Sequence, residues 1–287
     1  MPKGNVAGAE RLSELLRAPA GAVDLAAVDA RATPGFDGDK AAAEKEAPAL
    51  GKRLAELQEQ LYAEGRSGGT RSLLLVMQGM DTSGKGGTVK HVVGHVGPGG
   101  VHVASFGKPT EEELAHDFLW RMRAELPRAG KLGVFDRSHY EDVVTVRVID
   151  LVDGNAWTRR FDEINRFEEE LAAGGMAIVK CFLHISRDEQ RERLLARLDD
   201  PTKHWKYNPG DLASRALWDD YMTAYGDAIE RCGTDQAPWH IVPADRRWYR
   251  DWAITNLLIE RLDALGLRWP EARFDVAEQR DRLLAMP

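Results

Sequence analysis

Residues 76–87 read VMQGMDTSGKGG, and the residue types and spacing suit the capture of an anion. Gly79, Gly84 and Lys85 satisfy G-x-x-x-x-G-K, after an apolar run and ahead of a helix-forming segment, which is the context this pattern requires. Glycines let successive backbone N–H groups converge on phosphate oxygens, the following helix presents its positive end, and the lysine neutralises phosphoryl charge. The next position, Gly86, departs from the pattern, which ordinarily places Ser or Thr there as a magnesium ligand. Phosphoryl transfer uses a divalent cation that bridges phosphate oxygens. Magnesium takes one or two carboxylates together with phosphate and water. Asp81, inside the loop, is therefore the candidate replacement ligand, with Thr82, Ser83 and Thr88 as weaker candidates. An Asx residue that only stabilises the turn is the plain alternative for Asp81.

A second constellation, GVFDRSHYED at residues 133–142, places Asp136 directly after a short apolar run. As the last residue of a parallel strand, Asp136 would stand at the sheet's C-terminal edge, where a second metal-binding carboxylate belongs. Arg137 beside it could meet phosphate with its planar fork. Taken alone, the pattern also fits a structural Asp–Arg pair. A third constellation, ISRDEQRERLLARLDDPTKHWKYN at residues 185–208, carries the cations. On a helical wheel Arg187 and Arg191 share a stripe with Leu194 and Leu198, whereas Arg193 and Arg197 fall off it. Arg187 and Arg191 are thus expected to face protein or a cleft. Pro201 ends the helix, and Lys203, His204, Trp205 and Lys206 form a cationic, aromatic loop suited to a lid that closes over phosphates and expels water. A solvated amphipathic helix followed by an ordinary loop is the competing reading.

Other groupings carry less chemistry. His91 and His95 are four apart but have no third ligand or H-E-x-x-H pattern. His139 neighbours Ser138 only in sequence, and G-x-S-x-G is absent. The arginines of DRRWYRDWAI read as solvated or paired on a final packed helix.

The elements that must position these groups alternate. SLLLVMQG, VHVASF, KLGVFD, AIVKCFLHIS and WHIVPA read as strands. Helices are expected at about 85–95, from Thr110 through Leu126 with a Thr110–Glu113 capping box, and over RFDEINRFEEELAAGG, RDEQRERLLARLDD, LASRALWDDYMTAYGDAIERC and RRWYRDWAITNLLIERLDAL. Leu54, Leu57, Leu61 and Tyr62 mark a further helix from Lys52. Strands separated by helices predict a parallel sheet covered on both faces, with the ligand crevice at the strands' C-terminal edge. Residues 1–50, rich in Ala, Gly, Pro and charge, read as a loosely packed extension with one short helix around Ala9–Arg17. Residues 51–287 are expected to form one P-loop phosphotransferase domain, with a lid over about 187–210.

At a net charge of −7 the chain lacks the broad basic face of a general nucleic-acid binder, though a few focused cations can still hold an anionic substrate. Two cysteines without CxxC spacing suit a reducing cytoplasm. The longest apolar run, Leu73–Met77, is too short to span a bilayer, so a soluble cytoplasmic protein with no membrane partner is expected.

The stretches GMDTSGKGGTVKH, VFDRSHYEDVVTVRV and HISRDEQRERLLARLDDPTKHWKYNPGDL, in this order, resemble the second family of polyphosphate kinases. The similarity continues through ALWDDYMTAYGDAI and APWHIVPADRRWYRDW, covering approximately Leu50 to Leu265. The resemblance implies a thymidylate-kinase-like P-loop fold of three layers with a helical lid. It implies phosphoryl transfer between inorganic polyphosphate and a nucleotide, dependent on Mg2+ with Mn2+ as a possible substitute. Asp81 and Asp136 would then bind metal and orient the acceptor. Lys85, Arg137 and Arg187 would hold the transferring phosphate, supported from the lid by Arg191, Lys203 and Lys206. Gly79, Met80, Thr82, Ser83, Gly84, Gly86 and Gly87 would contact phosphate or nucleotide, as would Tyr140, Glu141 and Trp205. RSHYEDVVTVRV resembles the subgroup that phosphorylates both nucleoside mono- and diphosphates, AMP and ADP with GMP and GDP as further candidates, and Asp136 stands where that subgroup often carries Asn. The family commonly assembles as homodimers or homotetramers. An ATP-dependent nucleoside monophosphate kinase and a non-catalytic polyphosphate- or nucleotide-binding module are the alternatives.

Overall fold

The computed structural model describes residues 10–287. A long helix, α1 (Lys40–Arg66), leads into β1 (Ser72–Gln78), whose seven side chains are all buried. The glycine loop follows, then α2 (Lys85–His91) and β2 (Val101–Ser105). β3 (Leu132–Asp136), α3 (Gly154–Ala173), β4 (Met176–His184) and α4 (Arg187–Leu198) come next. The chain closes with α5 (Gly210–Ala216), α6 (Trp218–Arg231), β5 (Trp239–Pro243), α7 (Arg247–Ala264) and α8 (Val276–Leu284).

All five strands are parallel, in the order β2-β3-β1-β4-β5. Unbroken apolar runs such as SLLLV fit strands covered on both faces. From β1 the chain crosses outward to β2, returns to β3, then passes to β4 on the other side. The winding therefore reverses at β1, and a crevice opens beyond its C-terminal end. Met77 is level with Asp136 and with Cys181 in the adjoining strands, so the loop after β1 lies between the ends of β3 and β4.

Several expected elements are interrupted. The capping box is present, with the Thr110 N–H donating to Glu113 Oε2 (2.8 Å) and the Glu113 N–H donating to Thr110 Oγ1 (3.2 Å). The helix it starts stops at Leu114, and helix resumes only at Trp120–Ala124. The predicted helix over 212–232 breaks at Leu217, between α5 and α6.

Residues 10–50 are packed rather than loose, and the expected boundary falls inside α1. Leu12, Leu16, Leu25 and Phe36 join the main core. Of the short helix expected around Ala9–Arg17, a single turn forms at Leu12–Leu15, and Ala9 lies outside the described residues. Beyond it the chain runs antiparallel to β5, with the Ile241 N–H donating to Leu16 O and the Ala18 N–H donating to Trp239 O, each at 2.8 Å. Beyond that turn, Leu25 and Phe36 follow no helical or strand period, so composition there points to an arm.

A charged cluster lies inside the core beneath the site. Lys180, fully buried on β4, donates from Nζ to Glu168 Oε2 (2.6 Å), Tyr140 Oη (2.8 Å) and Cys232 O (2.6 Å). The Tyr140 hydroxyl donates in turn to Glu168 Oε1 (2.8 Å). Among the described residues no helix is long and apolar enough to cross a membrane.

Candidate active site

The loop between β1 and α2 takes backbone angles that demand its glycines. Gly79 and Gly84 sit at φ +144° and +113°. A Cβ on Gly84 would lie 1.7 Å from Nη1 of Arg250, a buried α7 side chain packed against the loop. Gly86 is different, because nothing lies within 4 Å of a Cβ built there. A serine would fit at Gly86, so crowding does not account for the missing hydroxyl.

Lys85 folds back over its own loop and donates from Nζ to Gly79 O (2.8 Å) and Met80 O (3.4 Å). Burial and the neighbouring Arg137 cation push its ammonium below the ordinary lysine value, against the pull of Asp136, Asp81 and Glu141. Arg137 leaves β3 in the left-handed region, at φ +64°, and its N–H donates to Met77 O (3.1 Å). That turn carries the guanidinium across to Asp81, Nη2 to Oδ1 at 2.7 Å. Burial opposes its charge, but the Glu141 and Asp81 carboxylates outweigh burial and hold it above the ordinary arginine value.

Two cavities flank the loop. On one side a pocket of about 100 Å3 is lined by Gly79, Met80, Asp81, Arg137 and Glu141, closed by Thr145, Ser214, Tyr221 and Tyr225. On the other, a groove of about 660 Å3 runs along Thr82, Gly84 and Gly87. Lys40, Arg193, Arg197, Lys203, Lys206, Arg247 and Arg250 line this groove against the acidic Glu44 and Asp251. A third cavity, about 850 Å3, lies between residues 22–31 and α6. Asp188, Glu189, Asp219, Asp227 and Asp245 are among its walls, beside Arg31 and Arg187.

The expected residues divide accordingly. Gly79, Met80, Asp81, Arg137 and Glu141 meet at the small pocket, and Thr82, Gly84, Gly87, Lys203 and Lys206 at the basic groove. Asp136 is half-buried at the end of β3, level with Met77. Trp205 is 79% exposed, with Lys206 Nζ 4.9 Å from its ring centroid, and lines neither cavity.

Two expectations need correction. Tyr140 lines neither cavity: its side chain is wholly buried and its hydroxyl is engaged by Lys180 and Glu168. On α4 the inward stripe is Gln190, Arg193 and Leu194, whereas Arg187, Arg191 and Leu198 are exposed. Arg191 pairs with Asp188 at 3.2 Å. Arg193, expected off the stripe, is 6% exposed and uses every guanidinium N–H. It donates to Thr82 O (2.9 Å), Ser83 O (3.1 Å), Ala244 O (2.6 Å), Asp245 O (3.0 Å) and Glu189 Oε1 (2.7 Å). The base of the expected lid is therefore fastened to the loop. Arg193, Arg250 and Gln190 were all missed by the sequence reading. Arg193 lies seven residues after the N-cap Ser186 and three after Gln190, a signal only if the leucine stripe is set aside.

The donor set fits a hard divalent cation. Two carboxylates, Asp81 and Asp136, stand by the loop, and the Thr82, Ser83 and Thr88 hydroxyls are buried without a hydrogen-bond partner. Among the described residues no three His, Cys, Asp or Glu side chains form a closed metal site. A cation here would complete its shell with phosphate and water, as magnesium commonly does.

A glycine loop at the switch point of a parallel sheet, bordered by carboxylates on one flank and cations on the other, defines a P-loop phosphotransferase. The sequence profile described as Polyphosphate kinase 2 (PPK2) matches residues 37–267. The chain belongs to the polyphosphate kinase 2 family. It is 48% identical over 253 residues to the AMP/ADP-polyphosphate phosphotransferase of Meiothermus ruber, covering 88% of this chain and 93% of that one. It is 40% identical over 249 residues to the ADP-polyphosphate phosphotransferase of Rhodopseudomonas palustris, covering 81% and 85%. The crystal structure of polyphosphate kinase 2 from Arthrobacter aurescens TC1 superposes with a TM-score of 0.94 at 51% identity, over 96% of this chain and 98% of that one.

Proposed function

We propose that this enzyme transfers phosphoryl groups between inorganic polyphosphate and AMP or ADP, reversibly, with Mg2+ as the working cation and Mn2+ as a substitute. GMP and GDP are further acceptors to test. The observation that carries this reading is the pair of unlike cavities on either side of one loop. A groove rich in Lys and Arg suits a repeating phosphate chain, which has no base to recognise. The small pocket beside Asp81, Arg137 and Glu141 suits the end of a nucleotide's phosphate chain.

In this reading the loop amides and Lys85 fix the phosphoryl group between the two sites. Arg137 reaches it from the β3 side, and Lys203 and Lys206 come from the lid. Asp81 and Asp136 would hold the cation, which would offset phosphate charge when bound. No strong general base is required, because a nucleotide's terminal phosphate is already an anionic nucleophile. Positioning and charge stabilisation therefore provide the catalysis. One phosphoanhydride replaces another, so the transfer is close to isoenergetic.

The test is incubation with AMP or ADP, magnesium and polyphosphate in the absence of ATP. Phosphorylated nucleotide is the expected product, and its absence would sink the reading. Homodimeric or homotetrameric assembly in the cytoplasm, with no nucleic-acid or membrane partner, completes the proposal; sedimentation tests the assembly.

A further inference from the structure

Between the exposed arginines of α4–α5 and the glycine loop runs an unbroken hydrogen-bonded line. Arg215, on α5, donates from Nη1 to Arg187 O (2.6 Å) and to Gln190 Oε1 (3.1 Å). Gln190, fully buried on α4, donates from Nε2 to Asp81 O (3.1 Å). Asp81 Oδ1 in turn accepts from Arg137. Only this amide orientation serves Gln190, because the reverse would set its nitrogen against a guanidinium and its oxygen against a carbonyl.

The line joins an arginine group on α4 and α5 to the glycine loop. At one end Arg215 is partly buried, and burial with the nearby Arg187 and Arg191 cations disfavours its charge, partly offset by Asp188, which pairs with Arg191. At the other end lies the Asp81 peptide, whose side chain faces Arg137. Arg193 already fixes the Thr82 and Ser83 carbonyls, so Asp81 O is the third consecutive loop carbonyl held from α4. Gln190 alone links that carbonyl to a cation of the α4–α5 arginine group.

We infer that Gln190 is a positioning residue that transmits anion capture at Arg187, Arg191 and Arg215 to the Asp81 segment of the loop. An anion drawn to Arg215 shifts the guanidinium that grips Gln190 Oε1, and the buried amide passes that shift to the Asp81 carbonyl. Gln190 touches no substrate. The inference rests on the function proposed above, since it takes the anion to be a polyphosphate.

A double-variant cycle tests it, with tripolyphosphate affinity measured by calorimetry in magnesium and kcat and KM measured with ADP and polyphosphate. Gln190→Met keeps the length but removes both hydrogen bonds, and Arg215→Met removes the other end. Each single variant is expected to weaken tripolyphosphate binding by about five- to ten-fold. The double variant is expected to fall no further than the weaker single, as for residues acting as one unit. For Gln190→Met kcat falls by about ten-fold while the KM for ADP stays within about two-fold. Gln190→Glu keeps the acceptor for Arg215 and loses the donor to Asp81, so it should show the same kcat loss; it serves in place of Gln190→Met should that variant not fold. Single-variant losses that multiply in the binding cycle would overturn the relay, as would unchanged binding in either Gln190 variant. A coupled binding cycle in a protein with no turnover would count against polyphosphate transfer and leave the relay standing.

Discussion

Asp81 and Arg137 meet at 2.7 Å, although one belongs to the loop after β1 and the other to the turn after β3. Their pairing sets the carboxylate at the wall of the small pocket while leaving one oxygen free of Arg137. Both side chains are partly exposed, so their mutual attraction adds little to stability after solvent screening. Their value is positional. Asp81→Asn and Asp136→Asn are each expected to lower kcat by about two orders of magnitude or more, with melting temperatures close to that of the parent. Turnover with ADP and polyphosphate, alongside thermal melts, checks this; full activity in both variants would remove the carboxylates from the mechanism.

Arg193 makes the opposite case, a guanidinium whose work is structural support. Arg193→Ala leaves carbonyls at Thr82, Ser83, Ala244 and Asp245 without their donor. Each unsatisfied buried acceptor costs about 1–3 kcal/mol, with water and relaxation recovering part of the sum. A net loss of about 3–5 kcal/mol in urea unfolding is expected. A loss under about 1 kcal/mol would show that these carbonyls find other partners.

The two glycines flanking Lys85 separate by sterics. Gly84→Ala meets both the positive φ and Arg250, so it should destabilise strongly and abolish turnover. Gly86→Ala lies in open space inside α2 and should raise stability by about 0.5–1 kcal/mol. Differential scanning calorimetry of both variants decides the matter.

Acid should weaken the fold from near pH 6.5 downward. Burial pushes the His240 imidazole down to about 4. Burial also lowers His184, with Val28 O and nearby carboxylates opposing. Above the ordinary histidine value both are neutral in either state. As pH falls below it, the unfolded chain takes up protons that the folded chain refuses, so stability drops until the folded His240 titrates near pH 4. His240→Asn can retain the donor to Lys180 O and should flatten this slope by an amount on the order of 2–3 kcal/mol across the window. Urea midpoints at several pH values between 7 and 4 measure it, and parallel slopes would contradict it.

How much of this was legible in the sequence depends on the range of the information. Gly79, Gly84, Lys85 and Asp136 were readable because spacing and a preceding apolar run fix their geometry locally. The parallel sheet follows from strands alternating with helices, but its order β2-β3-β1-β4-β5 does not. Tyr140 was misplaced because its neighbour Arg137 does face the site. What turns the tyrosine inward is Lys180, a β4 residue whose buried charge needs partners and whose proximity no local pattern reveals. On α4 the stripe was anchored on Leu198, which proves 45% exposed; moving the inward face to Gln190, Arg193 and Leu194 replaces two solvent-facing arginines with the residues that hold the loop. The need of three loop carbonyls for donors was invisible without the loop's shape.

The pairing of residues 16–18 with β5 has a further consequence. A parallel sheet of this kind ends in a strand with unpaired amides and carbonyls, ready to recruit another chain by strand addition. At β5 the Ile241 N–H and the Trp239 carbonyl are already taken by Leu16 and Ala18, and the covering segment is tied down by Glu260, whose carboxylate accepts from the Leu12 and Ser13 N–H groups. The first residues of the fold thus act as a guard rail against aggregation, and a chain trimmed to begin at α1 would keep its catalytic loop while exposing a sticky margin.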